Sequence, residues 1–194
     1  AKGASVLTGD DSLRKRPNTP LLNALTELGA EAFSTKGDGT APLVIKGRLR
    51  GGKTAIDGSI SSQFITALLI ASPLADKDTL IKIRGKLTSK PYVEITLELL
   101  KKAGITINTD FTKFDIPAGQ SYEAESYLVP GDFSSASYML SAGVITNSRV
   151  EVKNLLPSKQ GDVRILNILK QMGAHISWNK IEGIARVDGA DLRG

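Results

Sequence analysis

Apolar residues recur at helical spacing in three separate stretches of the chain, and a glycine follows each stretch within four residues. The stretches cover residues 21–28, 93–100 and 165–172, where an aliphatic side chain or methionine returns every three or four positions. This spacing predicts helices with one buried face. Glycine directly after the last apolar position is typical of a helix C-terminus, because it adopts the left-handed backbone conformation easily. The glycines predicted to end the three helices are Gly29, Gly104 and Gly173.

A fourth apolar run, residues 61–71, is apolar on every side, which predicts a helix buried between other layers. It follows the polar stretch "DGSISSQ", which contains Ser59, Ser61, Ser62 and Gln63. One side chain is enough to cap a helix, so the stretch holds more polar groups than capping needs. The exposed N–H groups of a helix N-terminus also bind anions. The residues alone leave capping and anion binding both open.

Short β-type runs between these helices complete a repeated unit. They cover residues 42–47, 79–84, 105–109, 113–117 and 149–154. The helix-ending glycines are 75 and 69 positions apart, and the serine pairs Ser61-Ser62 and Ser134-Ser135 are 73 apart. Two interleaved series with one period predict an α/β fold of repeated βαβαββ units, in about two and a half copies.

The phase of the repeat predicts that the chain is an internal part of a longer protein. The first copy begins at its second helix, and the last copy is expected to stop soon after its second helix. Neighbouring copies are then expected to cover the faces that one unit leaves open.

Composition argues against several kinds of site. The chain has no cysteine and a single histidine, His175, so thiolate metal sites are excluded and histidine-based zinc sites or catalytic triads are not expected. No metal and no cofactor are predicted, and His175 is expected to be structural. The sequence has no apolar run of membrane-spanning length and no signal-peptide pattern, so we expect a cytoplasmic protein without a membrane partner.

The net charge of +5 favours an anionic partner without identifying it. Residues 14–16 are all basic, but no aromatic side chains accompany them, so they are a weak signal for nucleic acid. Arg16, Lys90 and Lys159 occupy matching places at the starts of three predicted helices, where a cation opposes the helix dipole. Bound anions and solvated loop charges both explain these cations. Asp132 is predicted to be an N-cap.

Five motifs, in this order along the chain, resemble the 5-enolpyruvylshikimate-3-phosphate synthase family. They are "LTGDDSLRKRP", "DGSISSQFITALLIASPLA", "SKPYVEITLELLKKAGI", "SYLVPGDFSSASYML" and "SKQGDVRILNILKQMGA". The resemblance implies an inverse α/β barrel of βαβαββ units in two domains, with the active site between them. It also implies transfer of the enolpyruvyl group of phosphoenolpyruvate to the 5-hydroxyl of shikimate 3-phosphate, in chorismate and aromatic amino acid biosynthesis, and hence a target of glyphosate.

The resemblance further implies which residues bind substrate. Those matching the shikimate 3-phosphate site are Ser61, Ser62, Gln63, Ser89 and Tyr92, and those matching the phosphoenolpyruvate site are Arg16 and Gln63. The catalytic acidic residues of the family have no match here, so we expect no catalytic residue in this chain. Other parts of the same polypeptide are then needed for a full site, and the chain alone is expected to be inactive.

The family's domain crossover implies a boundary near Pro130, with residues 1–129 as a partial first domain and residues 130–194 as the start of a second. Two alternatives stay open. One is a protein like UDP-N-acetylglucosamine enolpyruvyl transferase, against which "SSQF" and "SKPY" argue. The other is a non-catalytic module that binds anions or nucleic acid through its net positive charge, although no nucleic-acid partner is expected.

Overall fold

The computed structural model describes residues 3–123 and 126–189. The chain divides into two compact units, residues 1–124 and 125–194. This division falls a few residues before the boundary predicted near Pro130. That the two units belong to separate domains of a longer protein stays a prediction.

The first unit begins with a helix on a small antiparallel sheet. Strand β1 (Ala4–Leu7) is followed by a short 3-10 helix and then by α1 (Thr19–Glu27), β2 (Glu31–Ser34) and β3 (Leu43–Lys46). The strands pair in the order β1-β3-β2, with both pairs antiparallel. These elements form the second half of one βαβαββ unit.

A complete βαβαββ unit follows. Its elements are β4 (Gly52–Asp57), α2 (Ser62–Ala71), β5 (Thr79–Arg84), α3 (Lys90–Lys102), β6 (Asn108–Thr109) and β7 (Lys113–Ile116). The sheet order is β4-β5-β7-β6, in which β4 and β5 are parallel and the other pairs are antiparallel. The predicted repeat is therefore present in full at least once.

The second compact unit, residues 125–194, contains the third copy of the βαβαββ repeat. Its elements are α4 (Phe133–Ile145), β8 (Val150–Val152), α5 (Ile165–Gln171), β9 (His175–Asn179) and β10 (Ile184–Asp188). The strand order β8-β10-β9 reproduces β1-β3-β2 and β5-β7-β6, which confirms the repeat. The expectation that this copy stops soon after its second helix is wrong, because both closing strands are present. The described residues just before α4 do not form the unit's first strand.

The three predicted helix-ending glycines all have a left-handed backbone. Their φ angles are 93° at Gly29, 80° at Gly104 and 101° at Gly173. After α1, the N–H of Gly29 donates to the carbonyl of Thr26, and that of Ala30 to the carbonyl of Leu25, both at 3.0 Å. The same two bonds recur after α3 and α5. This Schellman geometry satisfies the last carbonyls of each helix and confirms the predicted helix ends.

One predicted strand, residues 105–109, is shorter than expected, because only Asn108 and Thr109 pair in the sheet. The N–H of Ile105 donates to Leu100 at the end of α3, at 2.9 Å. The N–H of Thr106 donates to Oε1 of Gln120 at 2.7 Å. Capping and loop contacts therefore use the donors that a longer strand would need.

Helix α2 is buried on one side only, so the expectation of burial on every side is wrong. Ile65, Leu68 and Leu69 are fully buried in the core of the first unit. On the opposite side Ala67 is exposed, and Ile70 is 48% exposed. Apolar residues on every side of a helix do not indicate which of its faces pack against other elements. The open face of α2 forms part of the groove described below.

The second unit has a separate core beneath its own sheet. Phe133 and Leu140 of α4 pack with Leu155, Ala185 and other buried aliphatic residues. The ring of Phe133 meets the edge of Trp178 at a centroid distance of 5.5 Å. Each unit therefore encloses its own hydrophobic core.

Candidate functional site

Two helices of the complete unit begin at the same edge of its sheet. Because β4 and β5 are parallel, the loops that leave their carboxyl ends lie side by side, and each leads directly into a helix. The N–H of Gly58 donates to the carbonyl of Arg84 at 3.0 Å, and the N–H of Thr88 donates to the carbonyl of Gly58 at 3.3 Å. A Cβ at position 58 would lie 2.7 Å from Ile83, so glycine allows this close approach.

An open groove of about 840 Å³ lies between α2 and α3. Its polar end is formed by the first turns of the two helices, and its walls further along are apolar, with Ile70 and Ile95. Five of the six side chains that the sequence marks as substrate contacts line this groove, namely Ser61, Ser62, Gln63, Ser89 and Tyr92. The fold thus gathers two motifs that are well separated in the sequence.

Two of the four polar residues before and within the start of α2 have structural partners. Ser61 is the N-cap, and its hydroxyl accepts the N–H of Gln63 at 3.2 Å. Ser59 donates to Asp57 through its hydroxyl at 2.6 Å and its N–H at 2.8 Å. These two bonds hold the pKa of the Asp57 carboxyl below its usual value. Capping and a local turn therefore account for Ser59 and Ser61.

Three further polar side chains of the groove, those of Ser62, Gln63 and Ser89, are not used in this way within the described residues. Within the described part of the chain, the hydroxyls of Ser62 and Ser89 and the side-chain amide of Gln63 make no hydrogen bond to protein. Ser89 stands at the N-cap position of α3, but its hydroxyl does not cap the helix. These three groups remain available as donors to a ligand in the groove.

Arg16 lies away from the lining of the groove. It is exposed after the short 3-10 helix, and its carbonyl accepts the side-chain amide of Asn18 at 2.9 Å. Across residues 3–123 and 126–189, no carboxylate lies within ion-pair distance of Arg16, whereas Arg14 pairs with Asp11. The structure therefore leaves Arg16 accessible but does not join it to the other predicted contacts.

Lys90 also stands outside the groove, and its environment explains it without a bound anion. Its ammonium lies 4.0 Å from the ring centroid of Phe111 and 3.7 Å from the carboxylate of Glu94. A cation over a ring face and an ion pair one helical turn away both stabilise this charge. The structure thus shows a third explanation for Lys90, contacts within the protein, beside the bound anion and the solvated loop charge that the sequence left open.

The serine pair of α4 does not occupy the position of Ser61-Ser62. Asp132 is the N-cap of α4, as predicted, and accepts the N–H groups of Ser134 at 3.2 Å and Ser135 at 2.9 Å. Ser61 and Asp132 are thus equivalent, and Ser134 corresponds to Gln63. The sequence match of the two serine pairs is therefore wrong by two positions. The Ser135 hydroxyl and N–H, with the amide of Gln160, hold the pKa of Asp132 far below its usual value.

Two groove residues escaped the sequence analysis, Thr66 and Thr96. Their hydroxyl oxygens are 3.0 Å apart, so they join α2 to α3. Each lies about one turn beyond a predicted contact residue, Gln63 or Tyr92, on the same face of its helix. That spacing is the signal by which they were detectable. Thr66, however, stands within an apolar run, and Thr96 lies between Ile95 and Leu97, so both positions suggested core.

The described residues show no sign of a metal centre or a membrane span. Among them, no group of three or more histidine, cysteine or acidic side chains could hold a metal ion. His175, at the start of β9, is exposed. No described helix is long and apolar enough to cross a bilayer.

Comparison with known proteins decides the family. The family model of EPSP synthase (3-phosphoshikimate 1-carboxyvinyltransferase) matches residues 1–193. The chain belongs to the EPSP synthase family. The resemblance inferred from the five motifs is thereby confirmed.

Relatives within the EPSP synthase family agree with this assignment. The 3-phosphoshikimate 1-carboxyvinyltransferase of Methanothrix thermoacetophila is 58% identical over 98% of this chain and 45% of its own length. That of Methanocella arvoryzae is 57% identical over 100% of this chain and 46% of its own length. The chain therefore spans less than half of the curated relatives that it matches.

The solved EPSP synthase structures confirm the fold. The enzyme from Acinetobacter baumannii superposes with a TM-score of 0.72 and 28% identity, over 100% of this chain and 44% of that one. A second structure of EPSP synthase from the same organism gives a TM-score of 0.71. The α/β fold of repeated units predicted from the sequence, and the enolpyruvyl transferase fold that the family resemblance implied, are thus confirmed for this chain.

Proposed function

We propose that this chain supplies the shikimate 3-phosphate side of the active site of an enolpyruvyl transferase. The observation that carries the proposal is the groove between α2 and α3, where Ser62, Gln63 and Ser89 present donors that no described protein group uses. Membership of the EPSP synthase family supplies the chemical identity of the ligand.

The groove suits a phosphorylated ligand for a general physical reason. Two helix N-termini open at its polar end, and each carries a partial positive charge and unpaired N–H groups. Anions bind readily at such positions. The hydroxyls and the amide add neutral donors that also recognise the ring hydroxyls of a sugar-like acid. The apolar walls further along offer packing surface to the carbon ring of the ligand.

The proposal includes a second ligand that shares one contact residue, Gln63, with this groove. Arg16 is the proposed contact for phosphoenolpyruvate, together with Gln63. Its exposed guanidinium matches the planar geometry of a carboxylate or phosphate. Closure of a full site over both substrates is therefore proposed to need other parts of the same polypeptide.

The acid–base groups of the reaction are also proposed to come from elsewhere in the polypeptide. Enolpyruvyl transfer proceeds by addition and elimination, which need groups that donate and remove protons at the reacting carbon. No carboxylate lines the described groove. The reaction belongs to aromatic amino acid biosynthesis, for which we propose a cytoplasmic setting.

Calorimetric titration of the chain with shikimate 3-phosphate tests the proposal. Saturable binding is expected, and UDP-N-acetylglucosamine at the same concentration is expected to give none. Ser62→Ala is expected to weaken shikimate 3-phosphate binding without loss of stability. A chain that binds the UDP-sugar instead, or that binds neither ligand, would contradict the assignment. A phosphate-release assay with both substrates is expected to show no useful turnover by the chain alone.

A further inference from the structure

The hydroxyls of Thr66 and Thr96 form a bridge directly beyond the polar end of the groove. Thr66 follows Gln63 by three positions on α2, and Thr96 follows Tyr92 by four positions on α3. Each threonine therefore lies about one helical turn beyond a proposed ligand contact, on the same face of its helix. Both threonines line the groove.

The donors and acceptors of the bridge can be assigned. The hydroxyl of Thr96 donates a hydrogen bond to the carbonyl oxygen of Tyr92, at 3.1 Å. A hydroxyl has a single proton, so the oxygen of Thr96 must accept in its contact with Thr66 at 3.0 Å. The bonds therefore run from the side chain of α2, through Thr96, to the backbone of α3 at a ligand-contact residue.

The bridge is shielded from solvent mainly on the Thr96 side. Thr96 is 9% exposed, and Thr66 is partly buried. Water competes weakly for a hydrogen bond in such a setting, so the bond restrains the helices more than an exposed one does. The adjacent side chains Ala67 and Ile95 are apolar and offer no alternative hydrogen bond. Thr66 and Thr96 are thus the polar link between the two walls of the groove at this level.

We infer that Thr66 and Thr96 are positioning residues that set the offset of α2 relative to α3 for ligand binding. The inference rests on the proposed function, in which one shikimate 3-phosphate is held by Gln63 on α2 and by Ser89 and Tyr92 on α3. A ligand that spans two helices needs both sets of donors at a fixed separation, so a small shift between the helices weakens several contacts together.

The test compares Thr66→Val, Thr96→Val and the double variant with the wild-type chain in calorimetric titrations with shikimate 3-phosphate. Valine keeps the shape of threonine and removes the hydroxyl. Each single variant is expected to bind about three- to ten-fold more weakly, the effect of one net hydrogen bond. The double variant is expected to bind no worse than Thr96→Val, because both changes remove the same bridge.

Thr26→Val is the matched control. Thr26 donates to the carbonyl of Leu22 at 2.9 Å, the same type of bond within a helix that Thr96 makes, but it lies on α1 outside the groove. Its substitution is expected to leave binding unchanged. The control thereby separates the bridge between helices from the general cost of removing a helical threonine hydroxyl.

Thr96→Ser distinguishes positioning from packing. Serine keeps the hydroxyl and removes a buried methyl group, whereas valine does the reverse. If Thr96 positions the helices, Thr96→Ser is expected to bind shikimate 3-phosphate nearly as tightly as the wild type. This holds even if Thr96→Ser melts at a lower temperature than Thr96→Val. A purely structural role predicts that affinity follows the melting temperature in both variants.

Each outcome decides the inference. Wild-type affinity in Thr66→Val and Thr96→Val, with the wild-type chain binding normally, would overturn the positioning role and leave the proposed function intact. Failure of the wild-type chain to bind shikimate 3-phosphate would overturn the proposed function, and the positioning role with it. If Thr96→Val does not fold, the partly exposed Thr66→Val variant decides the question.

Discussion

The two serines at the start of α2 are expected to differ in what their hydroxyls support. Loss of the Ser61 hydroxyl is expected to lower stability, and loss of the Ser62 hydroxyl is expected to lower affinity for the ligand. Ser61 caps the helix through the N–H of Gln63, at 3.2 Å. The loss of an N-cap side chain costs about 1 kcal/mol, so Ser61→Ala is expected to lower the melting temperature by roughly 4 °C. The hydroxyl of Ser62 caps nothing in the described structure. Ser62→Ala is therefore expected to change the free energy of unfolding by less than about 0.5 kcal/mol.

The effect of Ser62→Ala on binding is expected to be larger. A hydrogen bond to a charged group contributes about 1.5–3 kcal/mol, which corresponds to a loss of roughly 10- to 100-fold in affinity for shikimate 3-phosphate. Urea unfolding followed by far-UV circular dichroism measures stability, and calorimetry measures affinity. The reasoning is refuted if Ser62→Ala is destabilised as much as Ser61→Ala, or if it binds the ligand as tightly as the wild type.

Three further predictions concern other sites. In the proposed complete enzyme, Arg16→Ala is expected to weaken phosphoenolpyruvate binding by about 2 kcal/mol or more and shikimate 3-phosphate binding little, as kinetics with both substrates can check. Equal losses for the two substrates would contradict the role of Arg16. Because the folded-state pKa of Asp132 is depressed, its stabilising contribution is present above about pH 4 and lost as pH falls toward the folded-state value. Urea unfolding from pH 6 to pH 2, followed by the fluorescence of Trp178, is expected to show this loss in the wild type and not in Asp132→Ala. Gly104→Ala is expected to lower the free energy of unfolding by about 1–2 kcal/mol, because φ is 80° there. Gly161→Ala, where an added Cβ has no neighbour within 4 Å, is expected to leave stability unchanged. Similar urea unfolding curves for the two variants would refute this prediction.

The helix ends illustrate what sequence reasoning reaches reliably. Gly29, Gly104 and Gly173 mark the ends of three helices because the left-handed residue of a Schellman motif has a strong and local amino-acid preference. The same locality made Asp132 recognisable as an N-cap. Strand ends were harder to place, since Ile105 uses its N–H for the end of α3 rather than for the sheet.

The misjudged burial of α2 and the question that the sequence left open at Lys90 both depend on contacts between distant residues. The exposed side chain of Ile70 lies in a wholly apolar run, and only the positions of the neighbouring elements decide which face of α2 is covered. Lys90 read as a candidate anion contact because Phe111, which lies under its ammonium, is remote in the sequence. The serine pairs matched two positions out of register because similar letters do not reveal which residue caps.

The repeated βαβαββ unit, the helix ends, the family and the residues that resemble its substrate contacts were all predictable from the amino-acid sequence. These features follow from local backbone preferences and from motifs that stand unbroken in the chain. The folded arrangement was needed to show that Ser61 caps a helix while Ser62, Gln63 and Ser89 line one groove with donors that no described protein group uses. The reason is the parallel pairing of β4 with β5, which places two helix starts from different parts of the chain at one edge of the sheet.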